Sequence, residues 1–380
     1  MEYDMIEEWE EPREVINSME GQVTGMSVTD LGFLCGIIKK YRPKKVVEIG
    51  VCFGGTTGVI MNSLNLLGLN NTLVYSIDLS EQVFVDSTKR TGHIYDNLLR
   101  EKMPNKNMQR FILGKTVADV IEDIGENIDL VIIDTTHELP GEILDFLVVL
   151  PYLSESAVVV LHDVGLNYFR ILTDSSDCHI RNSKDAISTK VLFHTVKSER
   201  KYLNYKDSYP NIGAFEVSEA TKDNVLDVIA LLSMNWTYLP DERIVQAYRI
   251  VIEKKYSKRA LKLFDFAVSA NHKMYDTIEK KVKQRDSRII FTGIMKDLNC
   301  PVDLHWLQGE EKKLLEEFLD YYNIDRKTDS ITNERVCYLI FDNKHKAGLE
   351  IGQELKYYID MSTINGISGM LFDQHEGYIK

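Results

Sequence analysis

Between residues 46 and 161 the chain alternates short, nearly unbroken apolar runs with stretches of helical periodicity, and few architectures accept that pattern. The runs are 46–49, 73–77, 111–113, 130–133 and 157–161, most of them rich in β-branched residues. Apolar residues at helical spacing fill 56–67, 117–124 and 142–150 between them. Strands that are apolar on both faces need cover on both faces, and helices supply it in a parallel sheet. Right-handed crossovers then predict an α/β fold with a doubly wound sheet. Residues 191–196 and 213–217 read as two further strands, so a seven-stranded sheet would close near residue 218.

A helix precedes this pattern. Ser27 is its expected N-cap, Asp30 stands in its third position, Leu31, Leu34, Ile37 and Ile38 share a face, and Pro43 ends it. The reading divides the chain into an acidic arm (1–22), the sheet domain (23–218) and a mostly helical C-terminal appendage (219–380). In the appendage, Val225, Val228, Ile229 and Leu232 lie on one helical face, as do Ile244, Tyr248, Val251 and Ile252 after an N-cap at Asp241. Leu261, Phe264 and Val268 continue the pattern, and Leu314, Leu315, Phe318 and Leu319 form one more amphipathic helix. Around 336–351 the pattern turns β-like, with Asp342-Asn343 near a turn. The polar stretch 81–107, between the second and third strands, reads as partly helical and as a border of the site.

The 380 residues are 44% hydrophobic and 27% charged, an ordinary globular balance, and the net charge of −13 disfavours general nucleic-acid binding. The five cysteines are scattered without a CxxC pair, which argues against a disulfide framework or a zinc cluster and points to a reducing, cytoplasmic setting. The acidic N-terminus lacks the apolar core of a secretory signal, and no apolar run reaches the roughly 20 residues of a membrane span. No membrane partner is expected.

The segment Glu48-Ile-Gly-Val-Cys-Phe-Gly-Gly-Thr-Thr57 joins the first strand to the following helix. Such a turn brings backbone N–H groups and a helix N-terminus to the sheet edge where ligands of open α/β sheets bind. Gly50, Gly54 and Gly55 let the backbone approach a ligand, and Thr56 opens the helix. Cys52 stands where a dinucleotide fingerprint has its second glycine, and the Gly-Lys-Ser/Thr of a P-loop is absent. A ligand without a pyrophosphate and with a cationic end is the better match, faced by Glu48. Asp78 ends the second strand, where a carboxylate can accept both hydroxyls of a ribose. Asp134 and His137 follow the fourth strand, and His162 and Asp163 end the fifth. Neighbouring parallel strands end together, so these side chains should cluster, and carboxylates with imidazoles can hold a divalent cation. Asp163 could instead cap the segment beginning at Gly165.

These motifs carry a resemblance. Glu48-Ile-Gly-Val-x-x-Gly-Gly-Thr, Ile77-Asp78, Ile133-Asp-Thr-Thr-His137 and Val160-Leu-His-Asp-Val164 make residues 23 to about 218 similar to class I methyltransferases with a Rossmann-like fold. The likeness is greatest to the branch of macrocin, mycinamicin and cephalosporin-biosynthesis methyltransferases. The resemblance implies S-adenosylmethionine as methyl donor, held by Glu48, Gly50, Gly54, Gly55, Thr56, Asp78 and Asp134. It implies a small-molecule acceptor, a sugar hydroxyl being common. In the metal-dependent branch the positions of Asp134, His162 and Asp163 supply ligands to a divalent cation, magnesium or manganese, and the position of His137 supplies the general base. Thr135 departs from the usual glycine, and Gly114-Lys-Thr116 offers no acid for an adenine. Metal-free N- or O-methylation, or a methyltransferase fold kept as a non-catalytic binding module, stay open. The appendage is expected either to make a homo-oligomer or to cover the site.

Overall fold

The computed structural model describes residues 3–21, 23–84, 86–166, 187–204 and 210–283, together with strands at 290–296, 300–301, 330–331 and 334–339. Helix α1 (Glu14–Asn17) belongs to the N-terminal arm, and α2 (Val28–Tyr41) starts at Ser27, whose Oγ accepts from the Asp30 amide at 3.1 Å. Strand β1 (Lys45–Ile49) leads into α3 (Gly55–Leu66), and β2 (Leu73–Asp78) into a hairpin of β3 (Gln82–Val83) and β4 (Asp86–Arg90). Strand β5 (Gln109–Leu113), helix α4 (Val117–Ile124), β6 (Ile128–Ile133), α5 (Gly141–Val149) and β7 (Leu153–His162) continue the alternation. A capping box between Thr116 and Asp119 starts α4. Then come α6 (Ser188–Thr195), β8 (Lys201–Leu203), β9 (Ile212–Glu216), α7 (Glu219–Asp223), α8 (Val225–Leu231), α9 (Glu242–Lys255) and α10 (Lys258–Lys283).

The main sheet has seven strands in the order β5-β2-β1-β6-β7-β9-β8. Pairs β5–β2, β2–β1, β1–β6 and β6–β7 are parallel. Strand β9 runs antiparallel to both β7 and β8, so the sheet is mixed where the sequence pattern implied a parallel one. Two strand positions also differ. Residues 191–196 form part of α6, and the seventh strand is the three-residue β8. Leu192, Phe193 and Val196 are buried and fall at helical spacing, so an apolar run that suits a strand equally suits one face of a helix.

Val46, Leu130, Ile132, Val158 and Val160 face one core layer with residues of α2 and α3. The alternate residues Val47, Val131, Ile133 and Val159 are equally buried, on the face that pleating turns the other way. There Phe146 of α5 meets Phe215 of β9 edge to face, with ring centroids 5.7 Å apart. The arm is tied down: the Trp9 amide donates to Gly32 O, Asn62 donates to Pro12 O, and the Asp4 amide donates to Lys201 O. Strand β1 lies between β2 and β6, so the chain reverses its direction of winding there, and the carboxyl ends of β1 and β6 border the crevice.

The chain falls into two compact units. The first holds the sheet and the residues of the candidate site: Met1–Gly165, Ser188–Leu232 and Pro240–Asp265. In it, Tyr248 of α9 donates to Asp145 of α5. In the second, the Trp236 amide donates to Asn271 Oδ1, and β10 (Ile290–Lys296) pairs antiparallel with β13 (Glu334–Leu339). The short β11 (Cys300–Pro301) pairs with β12 (Ser330–Ile331). Leu261, Phe264 and Val268 lie in α10, as their spacing predicts. The helix read at Leu314–Leu319 and the turn at Asp342-Asn343 lie outside the described residues. No helix among the described residues is long and apolar enough to cross a membrane.

Candidate active site

Chain packed against chain fixes the loop after β1. Gly50 has φ +92°, and a Cβ there would stand 1.8 Å from the carbonyl oxygen of Asp134. Gly54 has φ +87°, and a Cβ there would meet Gly92 Cα at 2.7 Å. Gly55 donates its amide to Val23 O, and Thr56 Oγ1 lies 2.7 Å from Thr24 Oγ1. Cys52 holds φ +48° as a non-glycine residue, fixed by its amide on Asp78 and its carbonyl under the Gly92 amide. Asp78 Oδ2 accepts from the Val51 and Cys52 amides at 2.9 and 3.1 Å, and Oδ1 from the Ser80 amide at 2.8 Å. The carboxylate shapes the loop, and its remaining lone pairs are what a ribose could use.

Glu48 is 1% exposed and turned toward α3. Thr57 Oγ1 donates to its Oε2 at 2.7 Å, and its Oε1 has no partner. Burial pushes the carboxyl up to about 7, against the pull of the Ser76 and Thr57 hydroxyls.

The expected cluster forms at the ends of β6 and β7. Asp134 Oδ1 lies 3.0 Å from His162 Nδ1, and Asp163 Oδ2 lies 3.4 Å from the same nitrogen. His137 Nε2 lies 3.1 Å from Asp163 Oδ2 and 3.9 Å from Asp134 Oδ1. The ligand atoms of Asp134, His162 and Asp163 all fall within 4.8 Å of one another. Burial opposes charge on His162, yet the Asp163 and Asp134 carboxylates outweigh it and hold the imidazole well above its ordinary pKa. Asp163 is held below the usual carboxylate range: burial would raise it, but the neighbouring His162 and His137 rings prevail. The 20% and 24% exposure of the Asp134 and His137 side chains, against 4% for His162, leaves the first two to meet a ligand.

Three surrounding residues escape a reading of the sequence as a site. Asp30, 2% exposed, brings Oδ2 to 3.4 Å from His162 Nε2. Asn211, just before β9, donates Nδ2 to Asp163 Oδ1 at 2.7 Å. Glu142 of α5 is fully buried, and its Oε1 accepts from the His137 amide and, at 3.0 Å, from Thr135 Oγ1. That contact holds His137 at φ +64°, and the departure at Thr135 now has a structural partner. Asp30 had a sequence signal, its place after Ser27, but that signal reads as helix capping.

The donor set suits a divalent cation. Two carboxylates and an imidazole converge, a third carboxylate stands behind, and the buried Oδ1 atoms of Asp30 and Asn211 have no partner. Nitrogen in the set favours manganese or a softer ion over magnesium.

Comparison with known proteins adds one match to a family model. Residues 47–164 match the family model described as a methyltransferase domain. The match covers less than a third of the chain. The matched segment includes Glu48, the glycine loop, Asp78, Asp134, His137, His162 and Asp163, whereas Asp30 and Asn211 lie outside it. Solved structures with some likeness include the O-methyltransferase TomG of Streptomyces achromogenes, involved in tomaymycin synthesis, in complex with S-adenosylmethionine. It is 12% identical, with 55% of this chain and 88% of that one covered and a TM-score of 0.37. Another is an O-methyltransferase of Bacillus cereus in complex with S-adenosylhomocysteine (15% identity, 54% and 87% covered, TM-score 0.34). A third is the S-adenosylhomocysteine-bound methyltransferase PaMTH1 of Podospora anserina (11%, 55% and 87%, TM-score 0.39). No curated protein matches the chain in sequence.

Proposed function

We propose that the chain is an S-adenosylmethionine-dependent methyltransferase that methylates a hydroxyl of a small acceptor, a sugar in the first instance, with help from a divalent cation. The observation that carries the reading is the gathering of Asp134, His137, His162 and Asp163 beside the glycine loop, at the point where the sheet reverses its winding. The match of residues 47–164 to a methyltransferase domain supports it independently.

The cofactor would supply a methyl group on a sulfonium, ready for in-line displacement by an oxygen. The protein must then align the acceptor and take its proton. Gly50 to Gly55 and Asp78 would hold the nucleoside, and Glu48 would support the loop from beneath through Thr57. Asp134, His162 and Asp163 would hold the cation, whose Lewis acidity would lower the pKa of the acceptor hydroxyl. His137 would take that proton on Nε2. To do so it must exchange its contact with Asp163 for the acceptor oxygen, while Glu142 keeps its backbone in place. The imidazolium formed could return Nε2 to the Asp163 carboxylate once the methyl ether has left, and that carboxylate favours the charge.

The test is methyl transfer from tritiated S-adenosylmethionine to a panel of methyl glycosides and other small polyols. Labelled methyl ether with release of S-adenosylhomocysteine is expected. A protein that neither transfers label nor binds S-adenosylhomocysteine would end the reading. A metal-free version is favoured by one feature: His162, charged among carboxylates, is itself a cation inside the cluster. EDTA separates the two, since only the metal-assisted enzyme would lose turnover.

A further inference from the structure

The His162 ring is gripped from two sides by different parts of the fold. Nδ1 faces Asp134 and Asp163 at the sheet edge. Nε2 faces Asp30 Oδ2 at 3.4 Å, and Asp30 belongs to the first turn of α2. Helix capping accounts for part of that aspartate: its amide donates to Ser27 Oγ, and Ser27 Oγ donates to its Oδ2 at 2.8 Å. Capping does not account for its 2% exposure, its unpartnered Oδ1, or its approach to a buried imidazole. A carboxylate kept at a first turn for the helix dipole gains nothing from burial.

The other edge of the ring has the spacing of a coordination site. Two ligand atoms at about 2.1 Å from an octahedral ion, in adjacent positions, stand about 3 Å apart. Asp134 Oδ1 and His162 Nδ1 are 3.0 Å apart, and Asp163 Oδ2 lies 3.4 Å from that nitrogen. Asn211 holds the other oxygen of Asp163 at 2.7 Å, which turns Oδ2 inward. A ligating imidazole must carry its proton on the nitrogen away from the ion, and that proton needs an acceptor to fix the tautomer. Asp30 stands where the acceptor is required, with Asn211 Nδ2 at 3.4 Å from the same nitrogen as the competing neighbour.

We infer that Asp30 is a positioning residue for a divalent-cation site: it accepts the Nε2 proton of His162 and so presents the Nδ1 lone pair to an ion between Asp134 and Asp163. The inference rests on the metal-assisted reading above and assigns control of the His162 tautomer to a residue outside the matched segment.

Manganese alone tests it on the full chain, without an acceptor. Mn²⁺ titration followed by electron paramagnetic resonance gives the affinity, and pulsed measurements give the coupling to a nitrogen ligand. Wild type should bind Mn²⁺ with an imidazole-nitrogen coupling. Asp30→Ala should bind about 100-fold more weakly, and Asp30→Asn, whose amide oxygen can still accept, about 10-fold more weakly. Circular dichroism melts establish that each variant folds. A folded Asp30→Ala that binds within threefold of wild type, with unchanged coupling, overturns the inference. If Asp30→Ala does not fold, an Asp30→Asn affinity within twofold of wild type does the same. Bound Mn²⁺ without nitrogen coupling in wild type also overturns it. No Mn²⁺ binding at all removes the metal-assisted reading together with the inference, while methyl transfer in EDTA would still stand or fall on its own assay.

Discussion

In the proposed site, Asp78 would serve a loop and a ligand together. It holds the Val51 and Cys52 amides, so its loss would remove the shape of the loop and, on the proposed reading, a bond to the ligand together. Hydrogen bonds to a charged group contribute about 1.5–3 kcal/mol each. Asp78→Ala should therefore weaken S-adenosylhomocysteine binding by at least roughly tenfold in isothermal titration calorimetry. An affinity within twofold of wild type would remove Asp78 from the cofactor site. His137 makes the opposite prediction. His137→Ala should cut turnover by about 10²–10⁴-fold and leave S-adenosylhomocysteine affinity unchanged, since none of its contacts reaches the glycine loop. Unimpaired turnover would exclude it as the base.

Between elements, buried carboxylates act as fasteners and can be read through pH. Glu48 joins β1 to α3 through Thr57, and its carboxyl is pushed up to about 7. An unfolded Glu titrates near 4.3, so between that value and 7 the folded protein binds a proton that the unfolded chain does not. Stability from this group is therefore greatest at low pH and falls as pH rises through 7, by on the order of 3 kcal/mol. Urea unfolding of wild type and Glu48→Gln at pH 5.5 and 8 should show the variant gaining on wild type at the higher pH, and parallel behaviour would refute the shift. Asp145, likewise raised to about 7 by burial, takes a hydrogen bond from Tyr248, the tie between α5 and α9. Tyr248→Phe leaves that carboxylate short of a donor and should cost about 1–3 kcal/mol in the same experiment. Much of this architecture was legible beforehand. Long apolar runs marked β1, β2, β6 and β7, and the cap at Ser27 is a local signal that structure seldom overrides. What escaped were elements whose identity is set from a distance. The run at 191–196 became a helix because its buried face fits beside α5, and β8, with a buried lysine at its start, is too short to carry a period. The site divides in the same way. Asp134, His137, His162 and Asp163 were legible because adjoining parallel strands end together, whereas Asp30 and Asn211 arrive from α2 and the approach to β9, which no spacing along the chain predicts.

At the scale of the molecule, a ligand that binds only the folded state adds RT ln(1 + [L]/Kd) to its stability, about 2.7 kcal/mol at 100 times Kd. S-adenosylhomocysteine at that level should raise the melting temperature by a few degrees in differential scanning calorimetry. A dinucleotide should not, and the reverse result would replace the proposed ligand class. The contact between Gly50 and the main chain of Asp134 carries a further consequence. A side chain cannot be inserted at that joint, so the glycine loop and the acid cluster are held at one separation. On the proposed reading, accommodating larger or smaller acceptors would find no slack at that joint. It would have to come from segments away from the joint, such as the β3–β4 ribbon, where Phe84 stands in solvent.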